Sequence, residues 1–286
     1  MLVWGKIEKM VYTDTAFEEI IGQIWDDRSL LEKDDVAKIL NTLMKRIANG
    51  ELTSAYLHKE NADDKQGKMT VNTWVVKAVR LAFPILRKIM SSQDHFKNEI
   101  EGLLRSRIED NASVRFPVYL EKGVVVMPHA FVNCGVFIDE DSMVDSNVTV
   151  GSCAYIGKRV HISSGAVIGG VFEPAGLKPV IIEDDVFIGA GAKILDGAHI
   201  KRGSVILPNV VITGTTRVYD YRKGNNDVQH IGSVPEYSMV YSGFRDIQAE
   251  GGCELQVVAP VIIRTVEAKT KEKLKINEDL HEGIHS

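Results

Sequence analysis

The sequence predicts a mainly β protein: a parallel β-helix of hexapeptide repeats, with an α-helical N-terminal domain before it and a small β/α C-terminal tail after it. Three observations predict this. An aliphatic residue recurs at every sixth position from Ile108 to Ile168 and again from Ile182 to Val218, eighteen times in all. Ahead of that stretch the apolar residues fall at helical spacing. Behind it they alternate like strands.

A period of six fits neither a helix nor an ordinary strand. It fits short strands joined by tight turns, about three hexads to one triangular coil. The beats are Ile108, Val114, Leu120, Val126, Val132, Ile138, Val144, Val150, Ile156, Ile162 and Ile168, then Ile182, Ile188, Ile194, Ile200, Ile206, Ile212 and Val218. They are expected to point inward and stack from coil to coil. Small or β-branched residues stand four past the beat, as at Val136, Val148, Ala154 and Ala166. One past the beat stands Gly, Asn, Asp or Ser, as at Asn133, Asp139, Asp145, Gly151 and Gly189, and these are expected to turn the corners. From Ile168 to Ile182 the step is fourteen, two hexads plus two. Residues 169–180 are therefore read as a loop pushed out of the coil.

Three units follow, at 1–106, 107–235 and 236–286. In the first, Phe17, Ile20, Ile21 and Ile24 mark one helix, and Val36, Ile39, Leu40, Leu43 and Ile47 a second that Asp34 caps. Leu52–His58 and Lys68–Val71 read as strands. Asn72 caps a third helix with Trp74, Val75, Ala78, Val79 and Ala82, which Pro84 ends or kinks. His95 to Arg107 gives one more helical pattern. From Tyr219 the beat fails; Ser238–Tyr241 and Leu255–Val266 alternate like strands, and a charged segment to Leu280 ends in a helix.

Composition sets limits on function. A length of 286 residues allows two or three domains. A net charge of −5 and a pI near 5.9 give no nucleic-acid footprint. No stretch is apolar enough to span a membrane. Cys134, Cys153 and Cys253 lack metal-ligand spacing and suit a reducing cytoplasm, with Cys134 and Cys153 packed inside hexads. His129, His161 and His199 lie in the coil without a short-spaced ligand pair, so no metal is expected, and a surface or turn role is the better reading of each. Acyl transfer fits a coil with an extruded loop, which can wall a groove for an extended thioester. The amine nucleophile would then need a carboxylate or histidine nearby to take its proton.

Particular motifs narrow this. Met143-Val144-Asp145, Val150-Gly151-Ser152-Cys153-Ala154-Tyr155-Ile156-Gly157-Lys158, Ile168-Gly169-Gly170-Val171-Phe172-Glu173-Pro174, Phe187-Ile188-Gly189-Ala190 and Thr216-Arg217-Val218-Tyr219-Asp220 together resemble the tetrahydrodipicolinate N-succinyltransferases of bacterial lysine synthesis. Thr73-Trp74-Val75-Val76-Lys77-Ala78-Val79 and the tail Val266-Glu267-Ala268-Lys269-Thr270-Lys271 are similar to that family too. The resemblance implies a left-handed coil and a cytoplasmic homotrimer with sites between subunits. It implies succinyl-CoA as co-substrate and ring-opened tetrahydrodipicolinate as acceptor. It points to Asp145 as the catalytic carboxylate that holds the amine, and to Arg107 as the partner of a substrate carboxylate. It implies that CoA meets Gly169, Gly170, Gly189, Ala190 and Lys269.

Two residues depart from the family pattern. Lys193 stands where the family has a glutamate, and Asn147 where it has a tryptophan. Lys193 is read as a substrate-binding cation that meets an anionic acyl group or acceptor, with a solvated charge outside the site as the competing reading. The departures leave open a divergent homologue using acetyl-CoA or another acceptor, and a catalytically silent binding or assembly protein. Asp145 as a plain corner residue like Asp139, and Arg107 as a surface helix charge, are the competing structural readings.

Overall fold

The computed structural model describes residues 13–59, 67–89, 106–222 and 228–267. Among the described residues the front unit holds three α-helices and one short 3-10 helix, Arg28–Glu32. α1, Asp14–Asp26, starts where the Thr13 hydroxyl accepts the Ala16 N–H, and it buries Phe17, Ile20, Ile21 and Ile24. α2, Asp34–Ala48, buries the expected face from Val36 to Ile47. Lys33 occupies its N-cap position, so Asp34 lies in the first turn and not at the cap. A carboxylate there meets the positive end of the helix dipole. The hairpin strands β1, Ala55–His58, and β2, Lys68–Val71, pair antiparallel. α3, Thr73–Ile89, runs on through Pro84 instead of ending there. Pro84 sits on an exposed side of the helix, where water can serve the carbonyl it leaves unbonded. Of the fourth helical pattern, the residues from His95 to 105 lie outside the described set, and Arg107 stands in a strand, not a helix.

From Arg107 onward the chain winds into a three-faced parallel coil of two-residue strands. The first face carries Arg107–Ile108, Val125–Val126, Met143–Val144, His161–Ile162, Phe187–Ile188 and Val205–Ile206. The second runs from Ser113–Val114 to Val211–Ile212, and the third from Tyr119–Leu120 to Ser233–Val234. The second residue of each pair points inward, and these beats with the small residues between them form one continuous core. Rung partners are eighteen residues apart, as for Val126 and Val144, but twenty-six apart across the extruded loop, as for Ile156 and Ile182. The loop therefore inserts eight residues without disturbing the register.

The corners turn three residues past the beat, not one. Asn111, His129, Asp141, Asn147, Cys153, Arg159, Asp185 and Asn209 all have φ between 53° and 66° there. Asn and Asp tolerate this left-handed region better than bulky side chains do, which accounts for Asn147 without any reference to a ligand. The residue one past the beat has a different task. Asn133, Asp139 and Asp145 each accept the next backbone N–H through their side chains, at 2.9, 2.8 and 2.6 Å.

The beat also returns after its apparent failure. Val234 and Val240 join the core, following a side excursion in which Arg217–Asp220 pairs with Val228–Ile231. Ser238–Gln248 then docks beside Val205–Ile206 and folds back on Glu254–Thr265 as a long hairpin. The helix expected toward Leu280 and the tail motif from Ala268 lie outside the described residues.

The helical unit packs on the corner between the second and third faces. Cys134, Cys153 and Val171 belong to its core, with Phe172 and Leu177 of the extruded loop against it. Arg80 of α3 donates to the Gly176 carbonyl at 3.0 Å, and Phe83 meets Phe172 edge-on at 4.7 Å between ring centres. Both cysteines of this seam are buried, and burial pushes the Cys134 thiol up to about 11.

Candidate active site

The coil sorts the sequence-predicted residues by corner and face. Asp145 follows the beat Val144, at the corner leading from the first face to the second. Gly189 and Ala190 follow Ile188 at that same corner, two rungs on. Arg107 begins the first-face strand two rungs the other way. With rungs about 4.8 Å apart, Arg107, Asp145 and Gly189 mark an edge on the order of 20 Å long. Arg107 is exposed and its guanidinium bonds Glu109.

Lys193 opens the next strand of the second face, between Val167 and Val211. It is exposed, just past the corner that holds Ala190, and no ion pair joins it to Asp145 among the described residues. Gly169 and Gly170 stand apart from this edge, at the corner between the second and third faces. Glycine at 170 and 189 is required by the close stacking of corners. A Cβ at Gly170 would lie 2.5 Å from the Ser152 nitrogen, and one at Gly189 would lie 2.6 Å from the Pro208 nitrogen. Lys269 lies outside the described residues.

Asp145 is half-buried, and its two oxygens do different things. Oδ1 accepts the Ser146 N–H at 2.6 Å, which serves the corner. Oδ2 faces the imidazole of His161 on the next rung, with Nε2 4.0 Å away. His161 is mostly buried, its ring set edge-on to Phe187 at 5.1 Å. Burial holds its pKa below the ordinary histidine value, against the weaker opposing pull of Asp145. Composition and hexad pattern treated His161 as a surface or turn residue. The register carries the signal that would have found it: the outward residue of the strand sixteen positions after Asp145 sits directly beside that carboxylate.

Chemically, this edge offers a guanidinium for a carboxylate, a half-buried carboxylate for a cation, and a neutral imidazole behind it. Among the described residues no group of three His, Cys, Asp or Glu side chains is placed to hold a metal ion.

Residues 135–170 and 179–214 match the family model for the bacterial transferase hexapeptide, six repeats. Transferases built on the hexapeptide repeat, with its parallel coil, are the class that fold and repeat define. Residues 16–85 match the model for the tetrahydrodipicolinate N-succinyltransferase N-terminal domain. A protein of Bradyrhizobium diazoefficiens named 2,3,4,5-tetrahydropyridine-2,6-dicarboxylate N-succinyltransferase is 36% identical, over 94% of this chain and 99% of its own. One of the same name from Nitrobacter hamburgensis is 37% identical over 93% and 99%. Among solved structures, a UDP-N-acetylglucosamine acyltransferase of Bacteroides fragilis is similar over 48% of this chain and 57% of its own, at 15% identity and a TM-score of 0.37. The chain belongs to the tetrahydrodipicolinate N-succinyltransferase family.

Proposed function

We propose that this chain transfers the succinyl group of succinyl-CoA to the amino group of ring-opened tetrahydrodipicolinate, a step of lysine and diaminopimelate synthesis in the cytoplasm. The observation that carries this reading is the match along 94% of the chain, helical front unit included, to relatives bearing that name. The edge from Arg107 to Ala190 supports it chemically. An acceptor with two carboxylates and an ammonium suits a guanidinium at one end and a carboxylate in the middle. Arg107 takes a substrate carboxylate, Asp145 Oδ2 takes the ammonium, and the thioester lies toward Gly189 and Ala190. Gly169, Gly170 and Lys269 complete the CoA path from the neighbouring subunit, since within one chain Gly169 and Gly170 stand at a different corner from Gly189. Lys193 pairs with the free carboxylate of the succinyl group. The amine loses a proton and attacks the thioester carbonyl, a C–N bond forms, the C–S bond breaks, and CoA leaves as the thiol. The assembly is a homotrimer with the site between subunits.

The test is free-thiol release from succinyl-CoA and acetyl-CoA, each with and without the acceptor. Acceptor-dependent release, faster with succinyl-CoA, is expected. Preference for acetyl-CoA would move the chain to another donor, and no acceptor-dependent release from either would leave a binding or assembly role.

A further inference from the structure

Asp145 and His161 are not an isolated coincidence of the coil. The same placement occurs at Glu183 and His199, also sixteen residues apart, with the carboxylate one past a beat and the histidine outward on the next rung. There Glu183 Oε1 lies 2.7 Å from His199 Nε2, a closed hydrogen bond. At Asp145 the side chain is one methylene shorter, and the gap to His161 Nε2 is 4.0 Å. That gap is too long for a direct hydrogen bond. His161 Nε2 is shut off from solvent and has no hydrogen-bond partner among the described residues. A buried nitrogen without a partner carries a cost that a native site keeps only for a reason.

The surroundings leave this pair alone together. On its face His161 lies between Met143 and Phe187, both uncharged. Asp145 is the charged group acting on it among the described residues. With the imidazole proton on Nδ1, Nε2 presents a lone pair to the lone pairs of Oδ2, and nothing draws them together. One proton between them turns that facing into a charge-assisted N–H···O bond, which prefers about 2.7–2.9 Å.

We propose that His161 is a positioning residue that acts through Asp145, accepting the proton that the acceptor's ammonium gives up at Asp145 Oδ2. This rests on the N-acyl transfer reading above. The ammonium donates to Oδ2, and its proton passes on to Nε2. The pair closes as imidazolium and carboxylate, and the neutral amine attacks the thioester carbonyl. The second nitrogen proton leaves with the departing sulfur as thiol, and the first returns to solvent as the pair reopens. No oxidant, metal or further reactant enters the balance.

Two measurements test this. The first is the pH profile of kcat/KM for wild type and His161→Gln. In wild type the acid limb follows a histidine titrating below 6.5. In His161→Gln the limb that His161 sets disappears, and kcat falls by roughly 10²-fold or more with KM for the thioester kept. The second needs no turnover: the NMR titration of the His161 ring in wild type and Asp145→Asn. Removal of the carboxylate is expected to lower the His161 midpoint. An unchanged midpoint would overturn the pair whatever the kinetics, as would an unchanged acid limb in an active His161→Gln. A wild-type protein without acceptor-dependent thiol release would instead sink the reaction, with the His161 shift still deciding whether the two side chains are coupled.

Discussion

Glu183 binds the His199 ring at 2.7 Å through one oxygen and the Arg202 N–H at 3.0 Å through the other, so the pair locks the corner between the third and first faces. Burial alone would raise the Glu183 pKa; the bonds from His199 and Arg202 outweigh it and hold the carboxyl below its ordinary value. His161 is also held below its ordinary value, by burial.

Both shifts have the same sign for stability. A group whose folded pKa is depressed contributes stability above its unfolded value and loses it as pH falls through the folded one. For His161 the loss begins below about 6.5, and for Glu183 below about 4.5. Urea midpoints between pH 4 and 8 should decline in two stages on the acid side. Glu183→Gln should flatten the lower stage and cost about 1.5–3 kcal/mol at neutral pH, the worth of hydrogen bonds to a charged group. An unaltered acid slope in that variant would show that Glu183 is not responsible.

Asp145→Asn keeps an oxygen for the Ser146 N–H, so the corner is expected to survive. Proton uptake at Oδ2 is lost, and kcat should fall about 10²–10⁴-fold. Circular dichroism melting beside steady-state kinetics checks both halves. Near-normal kcat with normal melting would return Asp145 to the corner role it shares with Asp139.

Lys193→Ala tests the exposed cation of the second face. Pairing of an exposed ammonium with a succinyl carboxylate is worth up to about 1 kcal/mol, so the preference for succinyl-CoA over acetyl-CoA should narrow by roughly two- to fivefold. The quantity to compare is the ratio of kcat/KM for the two donors. A ratio identical in wild type and variant would mark Lys193 as a solvated charge.

Ile182 is fully buried, with Ile156 and Ile200 as its rung partners. Ile182→Ala should cost about 2–5 kcal/mol in urea unfolding, since the stack above and below cannot collapse into the space. A loss well under that range would mean that the coil closes over the gap.

Light scattering at working concentration should give about three times the 31.7 kDa chain mass. A stable monomer that turns over substrate would end the shared-site account.

The coil was legible because its inward residues answer to one rule. Each beat from Ile108 to Val218 is aliphatic, and a six-residue spacing has no rival explanation. Val234 and Val240 obey the same rule but were hidden, because the Arg217–Ile231 excursion breaks the spacing before it resumes. The corner position was misassigned by two residues. Asp and Asn at one past the beat look like turn formers, yet they accept a backbone N–H, while the left-handed backbone falls where Arg159 and Cys153 also stand. The site was half legible. Asp145 came from a motif, whereas His161 needs the rung register, which brings together residues that composition and helical or strand periodicity keep apart. Asn147 has a backbone reason for its identity; Lys193 has none in the packing of the described chain.

The docking of the helices on Cys134, Cys153, Val171 and Leu177 has a consequence for how the molecule is made. α3 ends at Ile89, but the last residue of the surface it helps to cover is Leu177, eighty-eight positions later. At about 5–20 residues per second, a ribosome needs roughly 4–18 s to deliver that surface. During that interval the apolar seam of the front unit is at most partly covered, by the stretch around Cys134 and Cys153. The front unit is therefore among the last parts to reach its final packing, and a fragment cut before the extruded loop should remain a chaperone client.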